Sequence, residues 1–274
     1  MRVGFIGAGN MASAIVRGVV AAGAVAVEDL AVTSAHGHSA QSLARETGVD
    51  VLGSNEELVE AVGPGGAVVL AVKPHMIPGV LAPLRDLLEE YGSLVVSLAA
   101  GTSLADLADL LAPGQAVVRV MPNVNAQIGA GMAAVCGNDE TTDEQVDAVV
   151  GLFESVGSAL VLPERDFPAY TAVAGSSPAF VFTFIEALAR GGVRNGLPKA
   201  QAVRIAAHAV LGSARLVLER AGDGVTPADL VDTVCSPGGT TVAGLVAMEE
   251  AGFSPAVVRG VQATVDRDRE LSGS

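Results

Sequence analysis

The stretch Val3-Gly4-Phe5-Ile6-Gly7-Ala8-Gly9-Asn10-Met11-Ala12 decides the fold. Val3 to Ile6 form an apolar strand with no polar face, Gly7 and Gly9 allow a tight turn and close backbone approach, and Asn10 opens a helical run. The free N–H groups at such a helix start are where a dinucleotide pyrophosphate would be received. Ala12 replaces the third glycine, an allowed variant of the pattern. Taken alone the motif also describes a turn that binds nothing; its place at the head of a strand–helix alternation gives it weight.

That alternation continues outward. Strands are predicted at 3–6, 30–33, 67–72, 94–98 and 116–120, with helices between them at 10–22, 39–47 and 104–111. Strands this apolar are buried on both faces, which implies a parallel sheet with helices on each side, the doubly wound α/β arrangement. From residue 169 the chain reads instead as helices at 177–190, 199–221, 240–250 and 255–271, punctuated by Gly191-Gly192, Asn195-Gly196-Leu197-Pro198 and Ser236-Pro237-Gly238-Gly239. The expected organisation is a Rossmann-type dinucleotide-binding domain over 1–162 and an all-helical domain over 163–274. Phe180, Phe184 and Leu188 share one stripe, and Val203, Ala207, Val210 and Leu211 another. So much apolar helix in a short domain points to packing between subunits.

Composition bounds the function. Half of the 274 residues are hydrophobic, 17% are charged and the mean hydropathy is +0.48, which excludes a disordered chain. Sixteen basic against thirty acidic residues give a net charge of −14, which disfavours nucleic acid and anionic membrane surfaces as partners. Two cysteines, Cys136 and Cys235, are too few for a disulfide-stapled secreted scaffold. The N-terminus enters a strand at once rather than an export signal, and the longest apolar stretches, such as 67–72, have strand length. A cytoplasmic protein is expected.

The second strand should choose the cofactor. Thr33-Ser34-Ala35-His36-Gly37-His38 carries no carboxylate for a ribose 2′-OH, so a 2′-phosphate is tolerated. Ser34 can donate to it, as can His36 or His38 when protonated, but no arginine stands in this loop. NADPH is therefore the expected cofactor, with NADH possible. Two solvated loop histidines are the plain alternative, and a metal site there lacks a third ligand. Ala71-Val72-Lys73-Pro74 and Arg119-Val120-Met121-Pro122-Asn123 leave strands at the carboxyl edge, where ligands bind in such folds. Lys73 there is either a surface cation or a neighbour of the cofactor. Ser236-Pro237-Gly238-Gly239-Thr240-Thr241 precedes an apolar helix; its glycines expose backbone N–H groups as an anion nest suited to a carboxylate, or the stretch is a simple helix cap.

Together with Gly175-Ser176-Ser177-Pro178-Ala179-Phe180, these motifs resemble, in order and spacing over nearly the whole chain, the pyrroline-5-carboxylate reductase family. The resemblance implies NAD(P)H-dependent reduction of the cyclic imine L-1-pyrroline-5-carboxylate to L-proline, the last step of proline biosynthesis. It implies a homodimer through C-terminal helices, with assembly to a decamer in some members. It assigns the substrate carboxylate to Gly239, Thr240 and Thr241, with Ser236 shaping the turn. The Thr241 hydroxyl then serves the ring nitrogen as catalytic group, and Glu164 stands near the substrate. Cofactor contacts fall to Ile6, Gly7, Ala8, Gly9, Asn10, Met11, Ser34, Asn55, Ala71, Val72, Lys73, Ala99 and Ala100. Two positions depart from the family pattern: Val124-Asn125 replaces Thr-Pro, and Ser177 replaces Gly. The competing readings are a related imine or β-hydroxyacid reductase and a non-catalytic NADP-binding module. The β-hydroxyacid form requires a lysine that 177–190 lacks.

Overall fold

The computed structural model of the protein describes residues 1–35 and 37–272, so the expectation for His36 lies outside the described residues. The described chain packs as two compact units: Met1–Ser176 together with the stretch from Thr264 onward, and Ser177–Ala263.

In the first unit six strands are parallel: β1 (Val3–Ile6), β2 (Leu30–Thr33), β3 (Asp50–Val51), β4 (Ala67–Leu70), β5 (Leu94–Ser97) and β6 (Val117–Pro122). They lie in the order 3-2-1-4-5-6, and the sheet continues with β7 (Gly131–Gly137), antiparallel to β6, and β8 (Gly157–Val161), parallel to β7. The strand order reverses between β1 and β4, which is where such sheets open a ligand crevice. Ile6 pairs with both Thr33 and Leu70, so β1, β2 and β4 end level at that point.

The sheet is covered on both faces. Phe5 joins one core with Ile15, Leu43 and Phe153, while Ile6 joins another with Leu58, Leu81 and Leu88. The covering helices are α1 (Asn10–Ala22), α2 (His38–Thr47), α3 (Asn55–Val62), α4 (Ile77–Leu81), α5 (Arg85–Glu90), α6 (Leu104–Leu110) and α7 (Asp143–Glu154). β3, β7 and β8 have no counterpart among the predicted strands. β3 is two exposed residues, and β7, read Gly-Met-Ala-Ala-Val-Cys-Gly, lacks both alternation and the β-branched density that marks a strand.

The packing division falls at 176/177 rather than at 162/163. After a short turn at Glu164–Asp166, α8 (Phe167–Tyr170) buries Phe167 and Tyr170 against Ala134 of β7, which binds this segment to the sheet. One turn of π-helix follows at Thr171–Gly175, closed by the Ser176 N–H on the Thr171 carbonyl at 2.8 Å. Residue 178 is proline and offers no N–H to the Ala174 carbonyl. The buried Asn123 Nδ2 donates to that carbonyl instead, at 3.0 Å. Helical structure continues from Glu164 to Arg194 with a mean hydropathy of 1.5 in its most apolar stretch. By length and composition it is long enough to cross a membrane, which corrects the expectation that apolar runs are strand-length.

The second unit is helical: α9 (Ser177–Arg194), α10 (Lys199–Arg220), α11 (Pro227–Val234), α12 (Thr240–Glu250) and the first part of α13 (Phe253–Ser272). α9 and α10 close on one another through Ala189, Ala202 and Ala206. Within the unit Ala202 and Ala206 are buried with Val203 packed against them, whereas Ala207 and Leu211 of the expected stripe are exposed. Small residues let the two backbones approach, and the larger ones are left outside. Phe184 of α9 meets Phe253 with ring centroids 5.8 Å apart. α11 was not among the predicted helices, although Thr226-Pro227-Ala228-Asp229 carries its signal, a reciprocal capping box with proline in the first turn.

Candidate active site

Gly7 leaves β1 with φ of +105°, and a Cβ there would lie 2.7 Å from the Ala71 carbonyl oxygen. Only glycine accepts both the angle and the contact. Its N–H donates to the Thr33 carbonyl at 3.0 Å, and the Ala71 N–H to Ile6 at 2.9 Å, so the turn is stitched to the ends of β2 and β4. The structure therefore sets Ile6 and Gly7 beside Ala71 and Val72. Gly9 is the N-cap of α1 without a side-chain cap, and a Cβ on it would meet nothing within 4 Å. An uncapped helix start facing open space is suited to phosphate.

At the end of β2 the Thr33 hydroxyl donates to Asn55 Oδ1 at 2.8 Å, which leaves the Asn55 amide N–H groups turned away from that bond. Ser34 Oγ is buried and has no hydrogen-bond partner among the described residues. A buried hydroxyl in that state is satisfied when a ligand oxygen reaches it. Beside the turn, a cavity of about 530 Å³ is bordered by Asn10, Ser13, Arg17, Ser39, Ser42 and Gln127. The sequence reading found no arginine in the β2 loop; Arg17 comes from α1 instead, and its guanidinium is paired with Glu46 at 2.7 Å. Lys73 is exposed after β4, and Ala99 and Ala100 follow β5, with the Ala99 N–H on Ser97 Oγ at 3.3 Å.

Glu164 is held by two donors at the edge of a cavity. Its Oε1 accepts from Arg119 Nη1 at 2.8 Å and from the Leu104 N–H at 2.7 Å. Arg119 is nearly buried, with its guanidinium 4.6 Å from the centre of the Phe167 ring. The pair borders a cavity of about 370 Å³ with Ser103, Arg165, Asp268 and Arg269. Burial raises the Asp268 carboxyl above its ordinary range, and the Arg119 charge draws it back down. Burial likewise raises the Cys136 thiol, reinforced by the Glu164 charge, which disfavours its thiolate form. Arg119 as an anchor was missed because its partners are distant in sequence.

In the second unit, Gly238 has φ of +68° and Gly239 is the N-cap of α12, with no side-chain cap. The Gly239 N–H turns back to the Ser236 carbonyl at 2.9 Å, and a Cβ on Gly239 would collide with Ser236 Oγ. Thr240 and Thr241 are exposed at this start. Neither hydroxyl caps its own helix, contrary to the plain capping alternative.

Among known proteins, residues 164–271 match the family described as pyrroline-5-carboxylate reductase dimerisation, and residues 2–101 match NADP oxidoreductase, coenzyme F420-dependent. Over 273 residues the chain is 38% identical to pyrroline-5-carboxylate reductase of Escherichia coli, spanning 100% of this chain and 99% of that one. The crystal structure of 1-pyrroline-5-carboxylate reductase from Streptococcus pyogenes is 36% identical, with a TM-score of 0.85 over 98% of each chain. Plasmodium falciparum pyrroline carboxylate reductase with NADP bound is 28% identical, with a TM-score of 0.87 over 99% of this chain and 98% of that one. Matching at full length in sequence and in fold, the chain belongs to the pyrroline-5-carboxylate reductase family.

Proposed function

We propose that the protein reduces L-1-pyrroline-5-carboxylate to L-proline with NADPH, the last step of proline biosynthesis. The observation that carries this reading is the start of α12, a glycine-built turn with no side-chain cap, in a chain that also has an uncapped glycine turn at the sheet's switch point.

The cofactor half fits a nicotinamide dinucleotide on its own geometry. The start of α1 after Gly7-Ala8-Gly9 receives the pyrophosphate, with Asn10 and Met11 flanking it, and Ser34 and Asn55 serve the ribose. Ala71, Val72, Lys73, Ala99 and Ala100 line the carboxyl edge toward the reacting end. Ser34 and the absence of a carboxylate there favour NADPH over NADH. When bound, the cofactor supplies a hydride equivalent to the imine carbon.

The helical half holds the substrate. Backbone N–H groups of Thr240 and Thr241 grip its carboxylate at the turn that Gly239 forms, while the Gly239 N–H, held by the Ser236 carbonyl, and Ser236 keep that turn closed. The Thr241 hydroxyl hydrogen-bonds the ring nitrogen and relays to it a proton taken up from water, so that hydride on carbon and proton on nitrogen turn the C=N bond into CH–NH. Little more is required than alignment and exclusion of water. Glu164, whose Oε1 accepts from Leu104 and Arg119, stands near the substrate with no catalytic role.

The protein acts as a homodimer through its C-terminal helices, and dimers assemble further toward a decamer. Neither nucleic acid nor membrane is its partner, and its place is the cytoplasm. The test is NADPH oxidation with L-1-pyrroline-5-carboxylate, with proline identified as product. Stoichiometric proline is expected; NADPH binding without turnover would leave a non-catalytic module or a different imine as the reading.

A further inference from the structure

We propose that Arg119 and Glu164 are positioning residues for the cofactor, acting through the loop 98–103 that carries Ala99 and Ala100. The inference rests on the proposed reading that this loop lines the nicotinamide end of the cofactor site.

The geometry is a brace. Arg119 on β6 pairs in register with Ser97, the last residue of β5, so the loop leaves the sheet beside the guanidinium. At its start the loop is tied down by the Leu98 N–H on the Leu70 carbonyl at 3.1 Å and by the Ala99 N–H on Ser97 Oγ. At its end the Leu104 N–H, the first of α6, is taken by Glu164 Oε1. The same oxygen binds Arg119, and Arg119 rests on Phe167, three residues beyond Glu164. A single carboxylate oxygen thus fixes the far end of the loop to β6. Between these points Gly101 turns with φ of +73°, and the Thr102 N–H reaches Ala99 O at 3.4 Å. Without Glu164 the far end of the loop would keep its packing through α6 but lose its only tie to β6 among the bonds described.

Side chains also close the start of α6, which separates it from the other glycine-rich helix start in this unit. Ser103 and Asp106 cap each other reciprocally at 2.8 and 3.0 Å, and Glu164 takes the Leu104 N–H. The α6 start is therefore committed to holding the loop, while the α1 start is left open for phosphate. A charged oxygen that accepts from both a backbone N–H and a buried guanidinium is among the stronger anchors a loop can have.

The consequence is specific. Glu164→Ala and Arg119→Met should weaken NADPH binding about tenfold, as loss of one charge-assisted hydrogen bond does. The KM for pyrroline-5-carboxylate should change less than twofold. Glu164→Gln, which retains an oxygen for the Leu104 N–H, should recover part of the loss. Binding is measured on the full-length protein by NADPH fluorescence titration without substrate, well below each variant's unfolding temperature, with steady-state KM values alongside. If wild type binds NADPH and the variants bind it equally well, or if the substrate KM rises while NADPH affinity holds, the positioning role is wrong and a substrate contact takes its place. If wild type itself binds no NADPH, the cofactor reading fails first.

Discussion

The two units solve the same problem of apolar surface in opposite ways. In the sheet unit, large side chains such as Phe5, Ile15, Leu88 and Phe153 are fully covered by their own chain. In the helical unit the buried contacts are made by alanines, and large residues stand outside: Leu218 is 75% exposed, Val258 67% and Phe182 59%. Exposed apolar surface on this scale marks a surface that another molecule covers. The first unit is built to be complete and to present a crevice; the second is built to be shared. The same contrast runs through the helix starts, where α6 is sealed by Ser103, Asp106 and Glu164, while α1 and α12 are left open.

This contrast can be broken at several points. Gly7→Ala should abolish measurable NADPH binding, because the new Cβ would meet the Ala71 carbonyl at 2.7 Å on a backbone with positive φ; calorimetry at high protein concentration reads this directly. Phe182→Glu combined with Ile205→Glu should weaken self-association more than about a hundredfold, given about 1.5 to 3 kcal/mol for each large side chain withdrawn from a covered face. Analytical ultracentrifugation would show monomer, and an unchanged dimer would mean these faces are not the shared ones. Ser34→Asp should turn the preference toward NADH by about tenfold, read as the ratio of kcat/KM for the two cofactors.

The smallest effect concerns the sealed helix. Ser103→Ala should cost about 1 kcal/mol of stability near neutral pH. Bonds from the Ser103 hydroxyl and N–H hold the Asp106 carboxyl below its usual range. A carboxyl lowered in the folded state contributes stability above its unfolded pKa and loses it as the pH falls through the folded one. The difference between wild type and variant should therefore shrink in acid, as chemical unfolding across pH would show.

Much of the sheet unit is legible in sequence, because strands buried on both faces are unbroken apolar runs and Gly7 and Gly9 mark the turn. β7 is not, since its alanines and flanking glycines carry no strand period, and pairing with β6 and β8 makes it a strand. The α9–α10 contact is not legible either: close helix approach selects Ala202 and Ala206, which the hydrophobic stripe through Ala207 and Leu211 does not mark. Gly7, Ala71 and Ser34 fall where the motifs place them. The bond of Glu164 to Leu104 and Arg119 joins three segments far apart in the chain, and no local pattern announces it.

The most direct test of the reductase reading compares wild type with Thr241→Ala in two assays, NADPH binding without substrate and NADPH oxidation with L-1-pyrroline-5-carboxylate. The account predicts equal NADPH affinity and a loss of turnover of about a hundredfold or more in the variant, the scale of a lost proton-transfer group. Equal turnover by the two proteins, or a wild type that binds NADPH and produces no proline, would contradict it.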